Sequence, residues 1–244
     1  MYDNFNTIAK RSEQLYSVIY STTKKCKSQL EYCAKLLYDR IKSYTDKVYL
    51  ASFPNYQNDS SFFVKKFLNG DYKDISNPYL ISLFYSIDRG ITFAQELKEK
   101  YDQGYIIILD RYYISNVLYQ LHNFDDYVSK MLYIQFLGIV EVEGLQLPIP
   151  DITIILYAHP EVSNTLLNSR YDNDDSKRDV FENMNTQAKI FDNIGFINHY
   201  KDLDVMKKTL GDISLITIHD IEGNIFSREY INNRINDEVI HIIK

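Results

Sequence analysis

Tyr105-Ile106-Ile107-Ile108-Leu109-Asp110-Arg111-Tyr112 holds an apolar run that ends in two charged residues. An unbroken apolar run predicts a strand covered on both faces, the signature of a parallel sheet. Asp151-Ile152-Thr153-Ile154-Ile155-Leu156-Tyr157 repeats that pattern. Leu15 to Tyr20, Val48 to Phe53 and Ser214 to Ile218 are shorter β-branched and aromatic runs that also read as strands. Helix-like segments alternate with them. Lys27 to Lys42 carries Leu30, Cys33, Ala34, Leu37 and Ile41 at helical spacing. Helices are expected from Ser60 to Leu68, with Gly70 ending it, and from Pro78 to about Tyr101, closed by Gly104. Others are expected over Tyr113 to Gly138, Pro160 to about Arg170, Val180 to Tyr200 and Arg228 to Ile243. The alternation predicts an α/β fold, a parallel β-sheet wrapped by helices. Ligands in such sheets bind at the carboxyl ends of the strands. The residues after Tyr20, Phe53, Leu109 and Tyr157 are therefore where chemistry should lie.

Asp110 and Arg111 follow the central run. A carboxylate and a guanidinium at a strand end are costly to desolvate without partners. Either Arg111 clamps a phosphate while Asp110 holds a metal or a second cation, or the two form a pair that caps the next helix. Asp88-Arg89, placed mid-helix, reads on its own as solvated surface. Phe53-Pro54 reads on its own as a strand terminator. His159 reads as a turn residue, since no second His or Cys stands at metal-ligand spacing. After the first strand comes Ser21-Thr22-Thr23-Lys24-Lys25-Cys26-Lys27-Ser28. Lys27 and Ser28 fit the end of G-x-x-x-x-G-K-[ST], but Ser21 and Cys26 stand at the glycine positions. The first glycine in the chain is Gly70. Glycine there permits close backbone approach to phosphate, which a side chain obstructs.

The order of these pieces is more specific than any one of them. Asn77-Pro78-Tyr79, Phe84-Tyr85, Asp88-Arg89, Asp110-Arg111-Tyr112-Tyr113-Ile114-Ser115-Asn116, Tyr119-Gln120 and Leu147-Pro148-Ile149-Pro150-Asp151 follow Phe53-Pro54. Together they resemble thymidylate kinase, in a branch with NPY…FYxxDR ahead of DRYxxSN. The likeness runs from about residue 15 to 240. It implies the P-loop NTP hydrolase-like three-layer α/β/α fold and transfer of the ATP γ-phosphate to dTMP with Mg²⁺. It also implies a homodimer. Under it, Lys24, Lys25, Lys27 and Ser28 would face the ATP phosphates, and Ser28 and Asp110 the metal. Phe53 and Pro54 would border the dTMP site, Tyr85 or Phe84 would stack on thymine, and Arg89 would reach its carbonyl edge. Asp110 and Arg111 would sit at the phosphate and metal junction, with Ser115, Asn116 and Gln120 along the nucleoside. Arg170, Lys177 and Arg178 would be the cations of a lid at about 170–180.

The chain departs from that pattern at Ser21, Cys26, Thr23, which stands where the family's loop has a carboxylate, and Asn55, where the branch usually has Arg. The nucleoside side is thus better kept than the ATP side, which makes a catalytically dead relative that binds a nucleotide or a protein the alternative. Residues 1–14 precede the likeness and are expected to form an arm ahead of a single domain over 15–244. The chain has 244 residues, 45% of them apolar and 25% charged, ample for a buried core. Its net charge of −6 argues against nucleic acid as the main partner. Two cysteines and no signal-like or membrane-length apolar run fit a reducing, cytoplasmic setting.

Overall fold

The computed structural model describes residues 15–21, 25–171 and 184–243. Five strands, β1 (Leu15–Ser21), β2 (Val48–Ser52), β3 (Ile106–Asp110), β4 (Ile152–Tyr157) and β5 (Asp212–Thr217), form one sheet in the order β2-β3-β1-β4-β5. Every neighbouring pair is parallel. The period-2 geometry of a strand explains why the runs had to be continuously apolar. Ile107, Leu109 and Ile155 enter one core, while Ile106, Ile108, Ile154 and Leu156 enter the other.

Helix α1 (Lys25–Lys42) and α10 (Arg228–Ile243) cover the second face, through Cys33, Ala34, Leu37 and Ile41 on α1 and Ile231, Ile235 and Val239 on α10. The first face carries α5 (Ile114–Gln120), α6 (Tyr127–Leu137) and α8 (Met184–Tyr200). It also carries α9 (Asp204–Leu210), which the polar sequence around Lys207 and Lys208 conceals; its buried face is Met206, Thr209 and Leu210. Outside this frame, α2 (Phe62–Leu68) packs on α3 (Pro78–Thr92). Asn77 caps α3 by accepting from the backbone N–H of Tyr79 and Leu80 at 2.9 and 3.1 Å. The helix expected to about Tyr101 is continuous in direction but loosens to a π-turn at Phe93–Leu97 before α4 (Lys98–Asp102). α7 (Pro160–Tyr171) follows β4.

Two expectations differ in detail. The helix read over Tyr113 to Gly138 is broken at Phe124, which is extended with ψ 127°, and Asp126 starts a new helix by accepting from the Ser129 N–H at 2.9 Å. The second strand stops at Ser52, one residue short of Phe53, although the Phe53 N–H still donates to the Asp110 carbonyl at 2.9 Å. The lid expected at about 170–180 begins in the last turn of α7 and lies outside the described residues from 172 onward.

Candidate functional site

Parallel strands put their carboxyl ends side by side, so the register fixes which groups meet. Asp110 of β3 stands opposite Ile19 of β1 and Ser52 of β2. Its side chain is 3% exposed and receives the Ser52 hydroxyl at 3.2 Å. Arg111 follows with φ at 71°, a left-handed backbone that non-glycine residues seldom adopt. Such a conformation costs about 1–3 kcal/mol and persists where the surroundings enforce it, most often at functional positions. The next two residues are anchors. The Tyr112 hydroxyl donates to the Pro148 carbonyl at 3.2 Å, and that of Tyr113 donates to the Thr209 carbonyl. Burial raises the pKa of both phenols, so they stay protonated donors. The LPxPD stretch is therefore a brace under the strand end, and Arg111 is followed by two fixed points.

The loop after β2 is fixed by Asp88. Its carboxylate, 1% exposed, accepts the Asn55 N–H at 2.9 Å and the Ser60 hydroxyl at 2.6 Å. The neighbouring Arg89 is 2% exposed. Asp88 and Arg89 are thus not the solvated pair that the isolated sequence suggests; they are buried and serve different partners. Arg89 donates through Nε to Glu141 Oε2 at 3.0 Å and through Nη2 to Glu141 Oε1. Ser86 adds a hydrogen bond to Glu141 Oε1 at 2.7 Å. Burial pulls the Arg89 pKa down, and the Glu141 charge more than reverses this, so the guanidinium stays charged. Breaking one partner of a buried pair of this kind costs about 3–5 kcal/mol. Glu141 lies in the π-turn Gly138–Gly144, and an acid between Val140 and Val142 carries no sign in the sequence that it faces inward.

Of the expected nucleoside-side residues, Phe53 is 3% exposed and its bond to Pro54 is cis. Phe84 is 7% exposed and packs with Phe63, Phe67 and Tyr72, ring centroids 5.7, 6.2 and 5.7 Å away. Tyr85, partly exposed, lies one position round the helix, on the face that carries Ser82 and Arg89. That face meets α5, where Asn116 Nδ2 donates to the Ser82 carbonyl at 3.4 Å. Ser115 has a buried hydroxyl with no hydrogen-bond partner among the described residues. Gln120 accepts from Asn123 at 3.1 Å. Asn55 has turned its amide to Glu96 at 3.0 Å.

The ATP-side expectations fall at the edge of what is described. Lys25, Lys27 and Ser28 lie in the first turn of α1, which begins at the sheet end that carries Asp110. A helix N-terminus there favours anions. Arg170 lies in the last turn of α7. Lys24, Lys177 and Arg178 lie outside the described residues. Among the described residues no group of three or more His, Cys, Asp or Glu side chains could hold a metal. A lone carboxylate with hydroxyl neighbours suits Mg²⁺ that arrives on a nucleotide and keeps its water, rather than an all-protein cage.

The sheet is parallel throughout, with polar groups gathered at its carboxyl ends, and its family match and structural neighbours put it in the P-loop nucleoside monophosphate kinase class. A family model described as thymidylate kinase matches residues 31–203. The chain belongs to the thymidylate kinase family. Among the solved structures that share the fold are two thymidylate kinases. One is the thymidylate kinase from Candida albicans, 18% identical with a TM-score of 0.59, covering 95% of this chain and 94% of that one. The other is the thymidylate kinase from Ehrlichia chaffeensis, 15% identical with a TM-score of 0.56, covering 93% and 99%. The Candida enzyme is one of broad substrate specificity. No curated protein sequence matches the chain.

Proposed function

We propose that the chain transfers the γ-phosphate of ATP to dTMP, giving dTDP and ADP. The observation that carries this reading is the left-handed Arg111 beside the buried Asp110 at the end of β3, clamped by two tyrosine anchors. An acceptor phosphate oxygen attacks the γ-phosphorus while the bond to the bridging oxygen of ADP breaks. Such a step asks the protein for positioning and positive charge, not for a covalent nucleophile. Arg111 holds the acceptor phosphate. Lys27, with Lys24 and Lys25, holds the donor phosphates, and Arg170, Lys177 and Arg178 close over them as a lid at about 170–180. Asp110 and Ser28 would hold Mg²⁺, which neutralises charge on the transferring group when bound. Tyr85 stacks on thymine, since Phe84 is committed to the α2 cluster. Arg89 reaches the base carbonyl, and Phe53, Pro54, Ser115, Asn116 and Gln120 line the nucleoside.

We further propose one domain over 15–244 that pairs as a homodimer. Leu80, Ile87 and Ile91 recur at i, i+7 and i+11 on α3 and remain 38–41% exposed, and Leu145 packs beside Gly90 on the same helix. An exposed apolar stripe of this kind marks an interaction face. No described helix is long and apolar enough to cross a membrane.

Release of ADP with dTMP and ATP·Mg²⁺, followed in a coupled assay, tests the activity. Turnover dependent on dTMP supports it. Its absence at high protein concentration, with dTMP still bound, favours the reading that Ser21, Thr23 and Cys26 already suggest: a binding protein on a kinase fold.

A further inference from the structure

Arg89 and Glu141 form a neutral, buried unit that does more than fill the core. The carboxylate takes the Nε and Nη2 edge of the guanidinium, and Ser86 takes up the Oε1 side of that carboxylate at 2.7 Å. Nη1 is the part left over. It has no hydrogen-bond partner among the described residues, and the Arg89 side chain as a whole is 2% exposed. A buried arginine with one open amino edge and no counter-charge would attract any anion, including a phosphate. With Glu141 in contact, the pair has no net charge. What remains is a directional N–H donor in a low-dielectric setting, which suits a neutral carbonyl oxygen.

We propose that Glu141 is a positioning residue that sets base specificity: by neutralising Arg89 and fixing its rotation, it makes the open Nη1 edge accept a pyrimidine 4-carbonyl and reject a 4-amino group. This rests on the reading of the chain as a thymine-nucleotide kinase. The physical basis is donor against donor. An exocyclic amine presents N–H to N–H, and a site built for an acceptor leaves its own donor unpaired when the acceptor is missing. Glu141 comes from the π-turn after α6 whereas Arg89 comes from α3, so the selectivity depends on two elements that the sequence separates by 52 residues.

Calorimetric titration with dTMP and with 5-methyl-dCMP tests the idea, because the two ligands differ at the 4-substituent and the ring protonation that goes with it. The wild-type protein is expected to favour dTMP by at least about a hundredfold. In Glu141→Gln the amide NH₂ opposes Nη2, the guanidinium turns, and the preference is expected to fall to about tenfold or less. Ser86→Ala loosens Glu141 without removing its charge and is expected to reduce the preference about two- to fivefold. Circular dichroism and melting temperature establish that each variant is folded, and if Glu141→Gln does not fold, Ser86→Ala decides. Equal weakening of both ligands, with the ratio preserved in a folded variant, overturns the role of Glu141 and leaves the kinase reading intact. A wild-type protein that fails to distinguish the two nucleotides overturns the base-reading site itself.

Discussion

The backbone N–H of Asn55, just past the Phe53-Pro54 bond, donates to Oδ2 of Asp88 on α3 at 2.9 Å. With the Ser60 hydroxyl on Oδ1 at 2.6 Å, one buried carboxylate pins the whole segment between β2 and α2 to the helix that carries Tyr85 and Arg89. That helix is thereby held at a fixed distance from the strand ends.

Asp88→Ala removes two buried acceptors at once and strands two donors, so unfolding free energy is expected to fall by about 2–4 kcal/mol. The loop also loses its anchor. Urea denaturation reads the first effect, and a rise in KM for dTMP larger than the change for ATP reads the second. An equal effect on both substrates would place the Asp88 staple outside the acceptor side.

Gly211 has φ at +70°, and a Cβ there would stand 1.9 Å from the Pro150 carbonyl oxygen. Since Pro150 belongs to the brace beneath Asp110 and Arg111, Gly211→Ala is expected to cost about 3 kcal/mol or more. A Cβ on Gly195 of α8 would meet nothing within 4 Å, so Gly195→Ala is expected to gain about 0.5–1 kcal/mol from helix propensity. Denaturation midpoints of the two variants should move in opposite directions.

The strand frame was legible because two buried faces demand continuous apolar runs, as at Ile106–Leu109. The carboxyl-end rule then led directly to Asp110 and Arg111. α9 was not legible, since its three inward residues, Met206, Thr209 and Leu210, are spread over a short, lysine-rich segment. Asp88 and Arg89 look like solvated surface in isolation because a helix pattern does not reveal that two sides of α3 are covered, one by the Asn55–Ser60 turn and one by Glu141. Tyr85 and Phe84, equivalent as neighbouring aromatics, part only when α2 claims Phe84.

His122 lies in the turn between α5 and α6, and its Nδ1 is buried without a hydrogen-bond partner among the described residues. Burial, then the positive charges of Lys189 and Lys130, lower its pKa below the ordinary 6.5. The folded state therefore binds a proton less readily than the unfolded state. The associated stability is complete above about pH 6.5 and is lost as pH falls through the lower, folded-state value. Melting temperatures from about pH 8 to 5 should decline more steeply for the wild type than for His122→Asn. Parallel profiles would contradict this.

Ser21→Gly, Thr23→Asp and Cys26→Gly together restore the phosphate-loop pattern. If bulk at those positions limits ATP, the triple variant is expected to raise kcat/KM for ATP by about tenfold or more, equivalent to about 1.4 kcal/mol, with dTMP affinity unchanged. No change from an already active parent would show that side chains at Ser21 and Cys26 leave the loop fully competent.

An acceptor site at the carboxyl ends of the strands requires dTMP to bind through Arg111, which titration of dTMP into the wild type and into Arg111→Ala tests. Saturable binding by the wild type, weakened at least about tenfold in the variant through loss of a charge-assisted phosphate contact, is the expected result. A folded wild-type protein that takes up no dTMP, or one whose affinity is indifferent to the loss of Arg111, would contradict it.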